Sequence, residues 1–118
     1  MDCIFCQIVQ GKQKADVVYG NDKLIAFKDI SPKANIHLLV VSKKHIISVN
    51  ELENKDKGIV GEMVLAAKSL AKEFGIDQSG YRLVFNVGRG GGQIVDHLHL
   101  HLLGGGFLNN GQPGFTDN

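Results

Sequence analysis

The sequence lacks the features that are typical of membrane and secreted proteins. No apolar run approaches the roughly 20 residues that a bilayer-spanning helix needs. The first residues, Met1 to Cys6, contain no basic stretch ahead of an apolar one, so they do not form a secretory signal. The only two cysteines, Cys3 and Cys6, are too close in sequence for a disulfide between them to constrain the chain. These absences predict a cytoplasmic protein in a reducing compartment, with no membrane partner.

An excess of one charge sign is also missing. The chain has 13 Lys and Arg residues, 12 Asp and Glu residues and a formal net charge of +1, which gives no electrostatic footprint for nucleic acid. Its 118 residues, 43% hydrophobic and 21% charged, fit one globular domain that spans 1–118. We therefore expect no nucleic-acid partner, and any phosphate chemistry has to depend on local groups.

The hydrophobic pattern predicts an α+β fold built on an antiparallel sheet of about five strands. The one long helix is predicted over 56–74, where apolar residues recur at steps of three and four. A short helix or turn is predicted over 3–10, and glycines dominate an irregular tail, Gly104–Asn118. The predicted strands are Val17–Tyr19, Leu24–Phe27, Ile36–Val41, Tyr81–Val87 and Ile94–Leu103.

Three histidines alternate with leucines near the end of the chain, at positions 97, 99 and 101. Because side chains alternate faces along a strand, a strand places the three imidazoles on one face and the leucines on the other. A helix would instead pair His97 with His101 at four-residue spacing. Metal binding through all three rings is the main alternative for such a row, and a purely structural role is the third.

Imidazole suits attack on phosphorus. Most of it is neutral at pH 7, so a lone pair is available, and a second imidazole can hold the proton that a leaving amine needs. Water would then open the covalent nucleotidyl-imidazole that such an attack forms.

A glycine-rich stretch, Gly88–Gly92, precedes the histidines. It lacks the Gly-Lys-Ser/Thr ending of a P-loop, and a strand follows it where a dinucleotide fingerprint requires a helix. The stretch is consistent with a backbone that approaches a ligand closely, with Asn86 and Gln93 as amide contacts. It is equally consistent with a flexible turn between strands.

Cys3-x-x-Cys6 is by itself half of a metal site.

Together these segments resemble the histidine-triad nucleotide-binding family, and within it the Hint-type branch, over nearly the whole chain. The run from His97 to Leu103 matches the family's alternating histidine signature. The other matching segments are Ala26–Pro32, His37–Val41, Lys43–Ile46, Tyr81–Asn86 and Gly91–Gln93.

The resemblance implies a homodimer whose two sheets join, and a purine nucleoside 5′-phosphoramidate or similar mononucleotide as substrate. It assigns His99 as the nucleophile, His101 as the group beside the phosphate and leaving group, and His37 as the residue that orients His99. Asp29 would accept hydrogen bonds from the ribose hydroxyls. The positions that the resemblance places at the nucleotide are Phe27, Asp29, Ile30, Asn86, Gly92, Gln93, Ile94, His99 and His101.

The resemblance also implies a structural zinc and no organic cofactor. Its ligands would be Cys3, Cys6, His45 and His97, a set of two thiolates and two imidazoles that suits tetrahedral zinc.

Two positions depart from the family pattern: Ile94 stands where Ser or Thr is usual, and Asp96 stands where an aromatic residue is usual. Besides the hydrolase, the sequence leaves open a non-catalytic nucleotide-binding module that uses the same pocket, and a purely structural zinc protein.

Overall fold

The computed structural model of the chain describes residues 3–107, so most of the predicted irregular tail, 108–118, lies outside the described residues. Two α-helices and five strands form within that range. In chain order they are α1 (Ile4–Val9), β1 (Val17–Gly20), β2 (Leu24–Lys28), β3 (Ala34–Ser42), α2 (Lys57–Glu73), β4 (Tyr81–Val84) and β5 (His99–Phe107).

All five strands belong to one antiparallel sheet in the order β1-β2-β3-β5-β4. The predicted α+β class with one long and one short helix is therefore confirmed. β1 and β2 form the expected hairpin, and the long connection that contains α2 carries the chain from β3 to the opposite edge of the sheet. No helix within residues 3–107 combines the length and apolar character needed to cross a membrane.

The two faces of the sheet pack against different helices. Buried leucines of β5, Leu100 and Leu102, belong to the main core, into which α2 packs Met63 and Leu70. The apolar stripe that predicted α2 is thus the face that it buries. On the opposite face a smaller cluster of buried residues joins Phe5 of α1 to the sheet, through Phe27, Leu39 and Val41.

The last strand begins later than predicted. β5 starts at His99 and not at Ile94, because the segment before it turns sharply. His97 donates its backbone N–H to the carbonyl of Val95 at 2.9 Å, and Leu98 donates to the carbonyl of Ile46 at 2.6 Å. The prediction that all three imidazoles project from one strand is therefore wrong for His97, which precedes the strand.

The same strand also ends later than predicted. The glycines from position 104 were expected to be irregular, yet β5 continues to Phe107, which pairs with Ala34 of β3. A register shift in this pairing, between Ala34 and Ile36, accommodates Gly105 and Gly106, whose φ angles are +73° and +95°. Glycine adopts such angles without steric strain, which is why the run of three glycines stays in the sheet.

The other predicted bounds differ by smaller amounts. α2 occupies Lys57–Glu73 within the predicted 56–74, while β3 extends the predicted Ile36–Val41 at both ends. β4 stops at Val84 and not at Val87. The residues after it form the glycine-rich loop that leads to the histidines.

Candidate functional site

The sheet brings three histidines together on its α1 side. His99 and His101 lie two residues apart on β5 with ring centroids 4.9 Å from each other. His37 comes from the neighbouring strand β3, and its ring centroid lies 5.2 Å from that of His101. All three side chains are buried. The cluster that sequence reasoning placed on one strand is therefore built from two adjacent strands.

The hydrogen bond of His99 determines which of its nitrogens has a lone pair. Nδ1 of His99 lies 2.6 Å from the backbone carbonyl oxygen of His97. A carbonyl oxygen only accepts hydrogen bonds, so Nδ1 carries the proton. The neutral ring then has its lone pair on Nε2, which is the atom that can act as a nucleophile.

A chain of hydrogen bonds fixes His37 and His101 in the same way. The backbone N–H of Lys33 donates to Nδ1 of His37 at 3.0 Å, so the neutral His37 ring carries its proton on Nε2. That Nε2 lies 2.9 Å from Nδ1 of His101. His101 accepts there and therefore carries its own proton on Nε2. The pair of strand histidines thus offers a lone pair on His99 and an N–H donor on His101.

Burial keeps His37 neutral. Loss of hydration in the interior lowers the pKa of His37 below its ordinary value, and the charges of Lys33 and His99 act in the same direction. Oδ2 of Asp29, 3.3 Å from Nε2 of His37, opposes this shift in pKa. Because the lowering prevails, His37 acts as a neutral donor to His101 at neutral pH.

A cavity of about 260 Å³ lies on the α1 side of the sheet, and none of the three histidines is among its lining residues. Two residues that line it contact the histidines: Phe5 contacts His99, and Asp29 contacts His37. Four residues that were predicted at the nucleotide line it: Phe27, Asp29, Ile30 and Ile94. Ile30 is 96% exposed and Ile94 is 59% exposed, which places both on the rim and not in the depth of the cavity. Asp29 belongs both to this wall and, through its contact with His37, to the histidine cluster.

One wall of the cavity was not predicted. Ile4, Phe5 and Ile8 of α1 line it, together with Gln13 and Lys14 from the segment after the helix. The four-residue spacing of Ile4 and Ile8 was visible in the sequence, but nothing in the pattern indicated what they face. The ring of Phe5 meets the ring of His99 nearly perpendicularly, with centroids 5.1 Å apart.

Gln93 is directed into its own loop. Its side-chain Nε2 donates to the carbonyls of Ile47 and Val95 at 2.8 and 2.9 Å, and its Oε1 accepts from the N–H of Gly88 at 2.9 Å. Asn86, Gly92, Gln93, His99 and His101, which were also predicted at the nucleotide, do not line the cavity described above. Their contact with a nucleotide stays a prediction.

An ion pair closes the same glycine-rich loop. The guanidinium of Arg89 binds both carboxylate oxygens of Asp96, at 3.0 and 3.1 Å, and also donates to the carbonyl of Gln93. Asp96 thus neutralises a neighbouring cation at the surface. The loop that precedes the histidines is held by side chains at both of its ends.

A second cluster unites the four predicted metal ligands. One ligand atom from each of Cys3, Cys6, His45 and His97 lies within 4.8 Å of all the others. The closest pairs are Nδ1 of His45 with Nδ1 of His97 at 3.1 Å, and Sγ of Cys6 with Nδ1 of His45 at 3.2 Å. The resemblance had drawn these residues from three separate parts of the sequence.

The protonation of this second cluster fits a cation. Nε2 of His97 lies 2.6 Å from the carbonyl of Ser42, so its proton sits there and the Nδ1 lone pair faces the two sulfurs and His45. Burial lowers the pKa of His97 to about 4, which keeps the ring neutral. Burial also raises the pKa of the Cys6 thiol, and Cys3 beside it raises that pKa further. A cation would lower the electrostatic cost of holding thiolates so close together.

The group formed by Asp29, His37 and His101 does not fit a cation equally well. Asp29, His37 and His101 also bring ligand atoms within 4.8 Å of one another. However, Nδ1 of His37 already accepts a backbone N–H, so its Nε2 holds the ring proton and has no lone pair for a metal. The hydrogen bonds of this trio are compatible with proton positioning, whereas Cys3, Cys6, His45 and His97, which we call the cysteine-containing cluster, bring together atoms that could hold a metal ion.

Comparison with known proteins agrees with this architecture. The family model described as "Scavenger mRNA decapping enzyme C-term binding" matches residues 2–112. A protein of Escherichia coli K12 named purine nucleoside phosphoramidase is 40% identical over 104 residues, which cover 88% of this chain and 87% of that protein.

Two solved structures show the same fold. A HIT family hydrolase from Legionella pneumophila superposes with a TM-score of 0.89 at 44% identity, covering 99% of this chain and 100% of that one. A zinc-bound histidine triad family protein from Mycobacterium smegmatis superposes with a TM-score of 0.80 at 26% identity, covering 100% of this chain and 84% of that one. The chain belongs to the histidine-triad (HIT) family.

Proposed function

We propose that this protein is a hydrolase that cleaves the phosphorus–nitrogen bond of purine nucleoside 5′-phosphoramidates through a nucleotidyl-imidazole on His99. The observation that carries the proposal is the 2.6 Å contact between Nδ1 of His99 and the carbonyl of His97, which leaves the lone pair on Nε2. The phosphoramidase name of the Escherichia coli relative supports the choice of bond. The cavity beside the histidines supports the nucleoside part of the substrate.

The proposed reaction has two displacement steps at phosphorus. In the first, the lone pair on Nε2 of His99 bonds to phosphorus while the phosphorus–nitrogen bond breaks, and its electron pair leaves with the amine. The amine nitrogen takes a proton from water before the bond breaks and departs as the neutral amine, while the Nε2–H of His101 donates a hydrogen bond to the phosphoryl group. In the second, water attacks phosphorus, the electron pair of the broken bond returns to Nε2 of His99, and the proton of the attacking water passes to solvent.

The remaining residues position the substrate in this proposal. Phe27 and Ile30 would hold the purine in the cavity, and the carboxylate of Asp29 would accept hydrogen bonds from both ribose hydroxyls. His37, which the resemblance assigns to orienting His99, contacts His101 and would hold that residue in the tautomer that donates from Nε2. Asn86, Gly92, Gln93 and Ile94 remain proposed contacts to the sugar, phosphate or leaving group.

A structural zinc ion belongs to the same proposal. Cys3, Cys6, His45 and His97 would hold it, supported by the convergence of their ligand atoms and by the zinc-bound relative from Mycobacterium smegmatis. Such a site has no open position for substrate, so its contribution is stability. Metal analysis of the purified protein, followed by chelation in a thermal unfolding assay, tests this part. We expect one zinc per chain and a lower Tm after chelation.

A homodimer through β4 completes the proposal. β1 and β4 are the edge strands of the sheet. β1 carries a register shift between Val17 and Tyr19, and irregularities of this kind hinder the pairing of an edge strand with another chain. β4, in contrast, pairs regularly with β5 along its length. Regular pairing makes β4 the edge suited to extend the sheet into a second copy. Sedimentation of wild type and of a proline variant in β4 would test this arrangement.

Turnover of an adenosine 5′-phosphoramidate by wild type and His99→Asn tests the hydrolase. We expect wild type to release AMP and the variant to lose at least about 10³-fold in kcat, with AMP still raising its Tm. Acid-quenched wild type should yield a nucleotidyl adduct on His99 by mass spectrometry. A wild-type protein that binds AMP without turnover would favour the non-catalytic nucleotide-binding module.

A further inference from the structure

Helix α1 lies between the two clusters and contributes to both. Its N-terminal flanking residue Cys3 and its residue Cys6 belong to the cysteine-containing cluster. Ile4, Phe5 and Ile8 line the nucleotide cavity. With six residues, α1 is too short to be stable by itself and depends on its tertiary contacts. Whatever fixes the sulfurs therefore also fixes the wall of the cavity.

Phe5 provides the physical link. It stands between the two cysteines in sequence, is buried, and packs its ring against three others. The centroid distances are 5.1 Å to His99, 5.4 Å to Phe27 and 5.9 Å to His97, all with steeply inclined planes. One side chain thus touches the proposed nucleophile, the cavity wall and a member of the cysteine-containing cluster. Inclined aromatic pairs of this kind hold rings in a preferred orientation.

Besides its contact with the ring of His101, the His99 ring has two restraints that lead back to the cysteine-containing cluster. The first is the hydrogen bond from Nδ1 to the carbonyl of His97, whose own ring belongs to that cluster. The second is the edge contact with Phe5, which Cys3 and Cys6 flank. Movement of the cluster would therefore shift the His99 ring from two sides at once.

We propose that Phe5 is a positioning residue that couples cation binding at Cys3, Cys6, His45 and His97 to nucleotide binding and to the orientation of His99. This inference rests on the proposed function, since it takes the cavity as the nucleotide site. The ligand of the cluster is a thiophilic divalent cation of the zinc type. Coupling between two sites is reciprocal, so a nucleotide that binds better to the zinc-loaded protein must also tighten the binding of zinc.

Equilibrium competition for zinc with a chromogenic chelator tests the coupling on the whole folded protein. Zinc affinity is measured with and without saturating AMP for wild type, Phe5→Leu and Phe74→Leu, with AMP and chelator alone as the blank. Phe74 packs against the main core and belongs neither to the cavity nor to the cysteine-containing cluster, so Phe74→Leu is the matched control. We expect AMP to tighten zinc at least about fivefold in wild type and in Phe74→Leu. In Phe5→Leu the ratio should fall to near one, although AMP and zinc still bind.

A kinetic measurement separates positioning from a loss of fold. In the zinc-loaded Phe5→Leu protein, kcat for the phosphoramidate should fall about tenfold or more while the Kd for AMP changes less, because the cavity remains but the ring of His99 loses the edge contact with Phe5. Phe5→Tyr, which keeps an aromatic ring, should restore much of kcat.

Three results would overturn the inference. They are a zinc affinity that AMP does not change in wild type, an undiminished coupling in Phe5→Leu, and an absence of zinc binding at the cluster. Failure of wild type to bind AMP in the same experiment would instead contradict the proposed function. The two failures are therefore distinguishable.

Discussion

Nε2 of His37 on β3 and Nδ1 of His101 on β5 lie 2.9 Å apart and join the two strands through their side chains. The direction of this hydrogen bond follows from the far side of His37, where the backbone N–H of Lys33 occupies Nδ1. His37 must therefore donate, and His101 must keep its proton on the nitrogen that faces the site. A residue outside the triad thus selects the tautomer of one within it.

Removing this donor should reduce turnover without removing the nucleotide site. In His37→Leu, Nδ1 of His101 no longer has His37 as a donor, so the ring can adopt the other tautomer and lose its N–H toward the phosphoryl group. We expect kcat to fall on the order of 10²-fold. Steady-state kinetics with an adenosine phosphoramidate, together with the Tm shift caused by AMP, would measure the two effects separately.

His37→Gln is the matched control for that experiment. The amide nitrogen of glutamine can donate from near the position of Nε2, so this variant should keep more activity than His37→Leu. Equal loss in both variants would show that the donor to His101 is irrelevant to the rate.

The lowered pKa of His37 predicts how the stability of the protein depends on pH. Burial lowers the pKa of His37, against the opposing charge of Asp29, so the folded protein binds a proton at this site less readily than the unfolded chain. The stabilisation is complete above the unfolded pKa of about 6.5 and is lost as the pH falls below that value toward the folded pKa. Thermal unfolding from pH 7.5 to pH 5 should therefore show a steeper decrease of Tm in wild type than in His37→Gln.

The pH experiment includes its own reference. The glutamine variant still contains every other titrating group, including the cysteine-containing cluster, so the difference between the two curves isolates His37 and the groups that face it: Asp29, Lys33, His99 and His101. Parallel curves for the two proteins would contradict the prediction.

Periodicity predicted the fold wherever one face of an element is buried. The stripe of α2 could be identified because Met63, Ala67 and Leu70 all face the sheet. The start of β5 could not, because the His-Leu alternation continues through positions where the backbone has left the ladder. There the N–H of Leu98 bonds to the carbonyl of Ile46, a contact between distant segments that no local pattern encodes.

The site was predicted unevenly for a similar reason. Residues with distinctive chemistry, such as His99 and the cysteine pair, could be identified from sequence and from the family resemblance. Phe5 could not, because an isolated phenylalanine gives no sign that its ring meets His99, which lies far along the chain and becomes its neighbour only through the sheet. Gln93 was identified as a ligand contact, which stays a prediction, but the sequence did not indicate that its amide also donates to the carbonyls of Ile47 and Val95.

Gln93 should therefore matter for stability whether or not it touches a ligand. Replacing it with leucine leaves the carbonyls of Ile47 and Val95 and the N–H of Gly88 without this partner. Each of these three hydrogen bonds contributes about 0.5–1.5 kcal/mol net, so we expect Gln93→Leu to lower the free energy of unfolding by about 2–4 kcal/mol. Urea unfolding would measure this, with the exposed Gln78→Leu as the control expected to change it by less than about 0.5 kcal/mol.

A side chain at position 104 should destabilise the protein because it would clash with Ile76. A Cβ at position 104 would lie 2.6 Å from Cδ1 of Ile76, a side chain that is itself buried in the main core. We expect Gly104→Ala to lower the free energy of unfolding by about 1–3 kcal/mol through overpacking. Ile76→Val removes the clashing methyl group at a cost of its own of about 0.5–1.5 kcal/mol.

The double variant decides whether that contact is the cause. If the clash with Cδ1 dominates, the double variant Gly104→Ala with Ile76→Val should lose at least about 0.5 kcal/mol less in free energy of unfolding than the sum of the two single losses.

Gly61→Ala on α2 is the matched control, because a Cβ there meets nothing within 4 Å. Alanine favours the helix, so that variant should gain up to about 1 kcal/mol. If the effects of Gly104→Ala and Ile76→Val on the free energy of unfolding are strictly additive, the clash with Ile76 is not the cause. The destabilisation by Gly104→Ala would then come from strain in the backbone of β5.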